Sequence, residues 1–368
     1  MTTLNFFVGT YTTAFSRRGK KIDPPLETGS EGIYSVQFDT VSKKTCINSV
    51  VGNINPTFIS ISSDQKKLYA VSEIERFDGI NQGAITFYKI TSESELTDVQ
   101  KRGTSGSGPC YVDVHPTQES LVISNYGTGS IVSYSIDKEG ALSDISTFYQ
   151  HVGESINEIR QLSAHPHSST FNIKTNQLYV ADLGMDKILV YDYEFDKGIV
   201  NSRPELDIDT TPGSGPRHFE WHPNRDILYV INELDCTISV YKCDSDKPLE
   251  LLQNVTTLPE GFDGIISCAD IHISSDGKFL YGSNRGHNSI VKFAVNPQDY
   301  TLTYQKHFAT AGKWTRNFAL SPDEEYLFVA NQDSDNVVIF ERDKITGDIL
   351  NTGIEIDIPS PVCIKFMK

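Results

Sequence analysis

No apolar run in this chain approaches the roughly 18 residues that a membrane-spanning helix needs, so such a helix is not expected. Its six cysteines, Cys46, Cys110, Cys236, Cys243, Cys268 and Cys363, include no C-x-x-C pair. That spacing argues against a thiolate zinc site. The start, MTTLNFFVGTYT, lacks the basic and apolar regions of a secretion signal, and together these features lead us to expect a cytoplasmic protein. Cations are also in deficit, with 32 Lys and Arg against 48 Asp and Glu and a formal net charge of −16. Tracking the phosphates of a nucleic acid calls for the opposite balance, so neither nucleic acid nor a membrane is an expected partner. An anionic ligand would have to be drawn by a few cations gathered in a cleft.

Several catalytic signatures are missing as well. There is no GxSxG elbow, P-loop, HExxH or Rossmann fingerprint. GTSGSG at Gly103 to Gly108 is rich in glycine but leads into a β-strand, and reads as a link between repeats. His165 and His167, two apart on one strand face, are the one pairing that would suit a metal. They have no carboxylate or thiol nearby in sequence, so no metal and no cofactor are expected.

What the chain has in abundance is repetition. Gly213 to Lys242, GSGPRHFEWHPNRDILYVINELDCTISVYK, reads as three short strands separated by tight turns. Segments like its second strand recur at Leu68, Leu121, Leu178, Leu228, Leu280 and Leu327, spaced by about 50 residues, the period of propeller blades. The alternation has period two, which excludes helical repeats of similar length. Counting the blade anchored at Leu68 as the first, six copies are complete. A seventh is divided: PSPVCIKFMK supplies its inner strand, and LNFFVGTYT, EGIYSVQFD and CINSVVG supply the rest. The expected fold is an all-β, seven-bladed propeller with four antiparallel strands per blade, forming one domain over residues 1–368. The stretch 14–30, with Pro24-Pro25 and a basic run, reads as an inserted loop, either solvated or a lid. Ile74 to Gln82 is a second insertion, and the link from Gln150 to Leu162 has room for one helical turn.

Equivalent positions in the repeats allow roles to be compared. Four residues past each anchor stand Ser72, Asn125, Asp182, Asn232, Asn284 and Asn331, a nearly constant set suited to shaping a turn. The next position varies: Glu73, Tyr126, Leu183, Glu233, Arg285, Gln332. So does the start of the inner strand: Thr57, Cys110, His167, Arg217, Ala269, Arg316, with Val362 in the terminal blade. Variable, chargeable positions near strand ends at one face of a rigid scaffold are where sites are built. Blades 3, 4 and 5 thereby offer His167, Arg217, Glu233 and Arg285 to one side of the channel. A structural ion pair of Arg217 with Glu233 is the plainer alternative. His165 and His218 are secondary candidates, and His115 and His222, in His-Pro turns, are expected to cap loops.

The runs GSGPRHFEWHPN, LYVINEL, ADIHISSDGKFLYGSNRGHNSI, LYVADLGMDKILVY and RNFALSPDEEYLFVANQDSDNVVIFERDKITG resemble the seven-bladed lactonase family over nearly the whole chain. That family includes propeller-type 6-phosphogluconolactonases and the fungal 3-carboxy-cis,cis-muconate lactonising enzyme. The resemblance implies catalytic roles for His167, Arg217, Glu233 and Arg285; His165 and His218 are expected beside them as substrate contacts, and Arg316 as a phosphate contact. This chain reads Ala164-His165-Pro166-His167 where the family often has Pro-His-x-His, and Thr315-Arg316-Asn317-Phe318 where it often has Pro-Arg-Asn-Phe. The implied reaction is hydrolysis of 6-phosphoglucono-1,5-lactone, a small anionic sugar lactone, with Glu233 or His167 as general base and arginines stabilising negative charge. A muconate-type lactonising cycloisomerase needs the same residues, and a non-catalytic binding propeller is the reading from another class.

Overall fold

A computed structural model describes residues 2–17, 20–91, 94–244 and 247–368, with the side chains of 15–24 outside the description. Seven sheets, each built on four antiparallel strands, stand around a central channel. Blade 1 comprises Phe58–Ile61, Lys67–Ser72, Ala84–Ile90 and Leu96–Gly103 from inside to outside. The inner strands of blades 2 to 6 are Pro109–Val114, Pro166–Asn172, Pro216–Trp221, Cys268–Ile273 and Thr315–Leu320. In the terminal blade Pro361–Phe366 lies innermost, followed by Thr3–Thr10, Gly32–Asp39 and Lys44–Gly52. The divided seventh copy is therefore real, and the register Phe6↔Phe366, Val8↔Ile364 joins the two ends of the chain. Sheet edges that would otherwise be left open at both termini are paired.

Each sheet buries both faces against its neighbours, so the core lies between blades. One cluster joins Ile227, Tyr229, Ile231 and Val240 of blade 4 to Ile271, Leu280, Val291 and Phe293 of blade 5. Another closes the ring, packing Phe6 and Phe38 of the terminal blade edge-on against Phe328 of blade 6. The Leu-Tyr dipeptide that marks several anchors has a physical reason. The leucines are fully buried, while the hydroxyls of Tyr69, Tyr229 and Tyr281 reach the next blade and donate to the carbonyls of Gly140, Tyr300 and Gly347.

The near-constant position past each anchor is structural, as the repeats suggested. Asn125, Asn284 and Asn331 donate to the carbonyls of Thr104, Thr257 and Thr310, where the chain enters the blade, and Asp182 accepts three backbone N–H groups. His115 and His222 cap their turns, accepting from the N–H of Thr117 and Asn224. One expectation needs correction. Within 14–30 the chain forms a hairpin of Thr13–Arg17 and Lys20–Glu27 where a loop was expected, with Arg18 and Gly19 outside the described residues. The prolines signalled a break because they cannot donate to a ladder. They sit where pairing lapses, between Ala14↔Leu26 and Ser16↔Lys21, and so leave the hairpin intact.

Candidate active site

In blades 2, 3, 4 and 6 the variable position at the start of the inner strand is a β-bulge. Register shifts fall between Pro109 and Tyr111, Pro166 and Ser168, Pro216 and His218, and Thr315 and Asn317. The unpaired residues are Cys110, His167, Arg217 and Arg316, and a bulge re-aims such a side chain out of the regular alternation. The second variable position is fixed by a repeated backbone bond. The N–H groups of Glu73, Tyr126, Leu183, Glu233, Arg285 and Gln332 donate to the carbonyls of Asn55, Gly108, His165, Gly215, Ser267 and Trp314. The two positions are thus stapled together in every blade, at one end of the channel.

Four predicted residues meet there. Glu233 Oε2 accepts from Arg217 Nε at 3.0 Å and pairs with Arg285 Nη2 at 2.8 Å. Glu233 Oε1 is held by Arg160 Nη2 at 2.8 Å. Arg217 also donates to the Ala269 carbonyl, and Arg285 to that of Cys268. Gly286 follows Arg285 because the Ile265 carbonyl lies 1.6 Å from where a Cβ would stand. Burial alone would push the Glu233 carboxyl up, but the charges of Arg285, Arg160 and Arg217 override it and hold the group well below its ordinary range.

His167 is 5% exposed, with Nδ1 beside Cys110 Sγ at 3.8 Å and no hydrogen bond to Nε2 among the described residues. Burial, then the charges of Arg217 and His218, press its pKa well below 6.5, so the ring is neutral at neutral pH. The Cys110 thiol is pushed the other way by burial and stays protonated, which makes it a poor nucleophile.

Beneath this layer His218 Nδ1 donates to Asp270 Oδ1 at 2.8 Å while its Nε2 accepts from Arg217 Nη1 at 3.1 Å. A carboxylate on one nitrogen and a guanidinium on the other fix the neutral Nδ1–H tautomer. Burial, with Arg217 next, takes the His218 pKa down to about 3. His218 therefore braces Arg217 from below. Asp270 also accepts from Asn317 and faces His272 Nε2 at 3.1 Å. Burial opposes charge on His272, but Asp270 and Glu220 overcome it and push its pKa up to about 10. Because that lies above the ordinary value of 6.5, the stabilisation is complete below about 6.5 and is lost as pH climbs through about 10. Urea midpoints should thus fall for the wild type between neutrality and pH about 10.5, and its advantage over His272→Gln should shrink across that window. A constant difference between the two proteins would contradict the ion pair.

Across the mouth, Tyr11 of the terminal blade donates to Glu73 Oε1 at 2.7 Å and accepts from Arg316 Nη2 at 3.1 Å. Thr57 donates to the other Glu73 oxygen at 2.6 Å. Among the described residues Arg316 has no carboxylate within 4.0 Å, although it lies close enough to feel the charges of Glu73 and Glu233. His165 stands at the rim, stacked on Tyr126 at 4.5 Å with Nδ1 donating to the Tyr126 carbonyl. Among the described residues no three His, Cys, Asp or Glu side chains converge as a metal ligand set.

The repeat comparison did not single out Arg160, Tyr11 or Asp270. Tyr11 occupies the terminal blade's copy of the second variable position, so extending the comparison to that blade would have found it. Asp270 lies one residue past Ala269, in a wider irregularity between Cys268 and Ile271. Arg160 sits in a link between blades and has no counterpart to compare.

The description of the lactonase family, a seven-bladed β-propeller, matches residues 5–366. The 6-phosphogluconolactonase of Bacillus subtilis is 32% identical over 364 residues, covering 98% of this chain and 97% of that one. The 6-phosphogluconolactonase of Formosa agariphila is 36% identical, covering 86% and 90%. The solved structure of the periplasmic gluconolactonase of Pseudomonas aeruginosa superposes with a TM-score of 0.89 at 28% identity, covering 100% of this chain and 99% of that one. With its seven blades, its shared terminal sheet and its full-length match, the chain belongs to the seven-bladed β-propeller lactonase family.

Proposed function

We propose that the protein hydrolyses 6-phospho-D-glucono-1,5-lactone to 6-phosphogluconate, a step of the oxidative pentose phosphate pathway. The observation that carries this reading is the charge at the channel mouth. Four guanidinium groups, Arg160, Arg217, Arg285 and Arg316, face two carboxylates, Glu233 and Glu73, in a chain whose net charge is −16. An excess of two positive charges gathered at one place suits a phosphate monoester dianion. Arg316, whose guanidinium is not tied to a carboxylate, is the natural contact for that phosphate.

His167 is the proton acceptor that the ligand-free geometry favours, because it is neutral with Nε2 open, whereas both Glu233 oxygens are occupied by cations. In the proposed reaction water attacks the lactone carbonyl carbon and His167 Nε2 takes its proton. Arg217 and Arg285 stabilise the tetrahedral oxyanion. As the bond from the acyl carbon to the ring oxygen breaks, the imidazolium returns the proton to that oxygen, giving the free hydroxyl and the acid. His218 acts by positioning Arg217. We place the enzyme in the cytoplasm on its six free cysteines, one exposed and five buried.

The test compares two lactones. A charge-assisted hydrogen bond contributes about 1.5–3 kcal/mol, so losing the two bonds of a bidentate Arg316–phosphate contact should lower kcat/KM by about 10²-fold or more. Glucono-1,5-lactone is expected to show that deficit relative to its 6-phosphate in a rapid-mixing proton-release assay. Equal kcat/KM for the two, or no acceleration of either, would rule the reading out.

A further inference from the structure

Glu233 has no oxygen to spare, but the arginines that occupy it are not held alike. Arg217 and Arg285 share Oε2, are 2% and 5% exposed, and are each anchored a second time on a backbone carbonyl of blade 5. Arg160 alone covers Oε1, its side chain is 31% exposed, and its other partner is the Tyr126 hydroxyl at 3.0 Å. It also comes from outside the blades, on the link between blades 2 and 3. The backbone of that link is well fastened. Asn157 Oδ1 accepts from the N–H groups of Ile159 and Arg160, Gln161 Nε2 donates to the Leu183 carbonyl, and Ser155 Oγ donates to Asp186. The base of Arg160 is therefore fixed while its guanidinium is tied only to side chains, on a side chain that is partly exposed.

We propose that Arg160 is a specificity-determining residue that an anionic group on the substrate draws away from Glu233. The transfer exchanges one ion pair for another and uncovers Glu233 Oε1 inside the site, where it accepts a hydrogen bond from the attacking water. Arg217 and Arg285 stay on Oε2, held by their backbone anchors, so the oxyanion donors do not move. A lactone without an anionic group leaves Arg160 in place, and the carboxylate stays capped. Discrimination then comes from uncovering the reactive geometry as well as from binding. The identity of the substrate rests on the lactonase reading; the exchange of partners rests on the geometry around Glu233.

Arg160→Gln separates this from a structural role. With 6-phosphogluconolactone, KM should rise by about tenfold or more, the loss expected for one charge-assisted contact. With glucono-1,5-lactone, kcat should rise, because the cap is gone, so the preference between the two lactones collapses from both sides. Equal losses on both substrates would mean that Arg160 only supports the fold of the link, and unchanged kinetics would mean that it stays outside the reaction; either overturns the proposal. Calorimetric titration with inorganic phosphate gives a second reading that needs no turnover. Phosphate should bind Arg160→Gln about tenfold more weakly than the wild type, and equal affinity would overturn the proposal. If the wild type turns over neither lactone, the lactonase reading fails and the phosphate titration decides the role of Arg160 by itself.

Discussion

Glu233→Gln is expected to lose both activity and stability, and the two losses share one cause. The carboxylate is the hub on which Arg217, Arg285 and Arg160 converge in a setting where all but Arg160 are almost fully buried. Removing one member of a buried ion pair costs about 3–5 kcal/mol, because the remaining charge is left uncompensated. Here three guanidiniums lose their counter-charge together, so the variant should unfold at a clearly lower urea concentration. Turnover should fall by about 10²-fold or more, since the oxyanion donors lose the group that aligns them. The uncompensated cations also make a sharper expectation. Phosphate or sulfate should raise the thermal midpoint of Glu233→Gln more than that of the wild type, because an anion replaces the missing carboxylate. A variant with wild-type stability and no added response to anions would show that Glu233 is not the hub.

Much of the fold was legible because a propeller repeats its packing problem. In six blades a fully buried leucine opens the second strand, and in four of them, at Leu68, Leu178, Leu228 and Leu280, a Tyr that reaches the next blade follows it, which leaves a period in the sequence. The terminal blade was legible for the same reason, since Thr3–Thr10 and Pro361–Phe366 carry the patterns of second and inner strands. The hairpin at Thr13–Arg17 and Lys20–Glu27 was not, because it occurs once and its prolines gave a local signal of chain breaking. Where no copy exists to compare, local propensity is the only guide. It reports what a residue cannot donate, and is silent on whether a partner strand needs that donor.

The site was legible to the extent that it is built on repeated positions. His167, Arg217, Glu233 and Arg285 are brought together because each stands where a bulge or a repeated backbone bond directs side chains to the channel mouth. Comparing blades found the positions without revealing the bulge, which is a matter of register. It also kept open whether Arg217 and Glu233 are only an ion pair. They are an ion pair, within a group that carries more cations than it can neutralise. Arg160 escaped notice because it reaches the site from a link of 151–165 with no regular structure beyond one turn, and polar links in sequence look alike whether or not they cover a channel.

His167→Ala should lower kcat by about 10²- to 10⁴-fold, the range for losing a general base, with little change in fold. The ring makes few structural contacts: Cys110 Sγ at 3.8 Å, and edge-on packing against Tyr126 and His218. The pH dependence identifies the base. Burial, Arg217 and His218 all oppose a proton on His167, so its pKa lies well below 6.5 and the base stays available through neutrality. The kcat/KM of the wild type should therefore be flat around pH 7 and fall only as the pH drops well below 6.5, where the imidazole takes a proton and can no longer accept one from water. Residual activity in His167→Ala should lack that acid limb. Cys110 provides the internal control, since it neighbours His167 but holds its proton under burial. Cys110→Ser should keep turnover within a few-fold of wild type and preserve the limb. If Cys110→Ser instead abolished turnover while His167→Ala retained it, the nucleophile would be the thiolate and the water-activation scheme would be wrong.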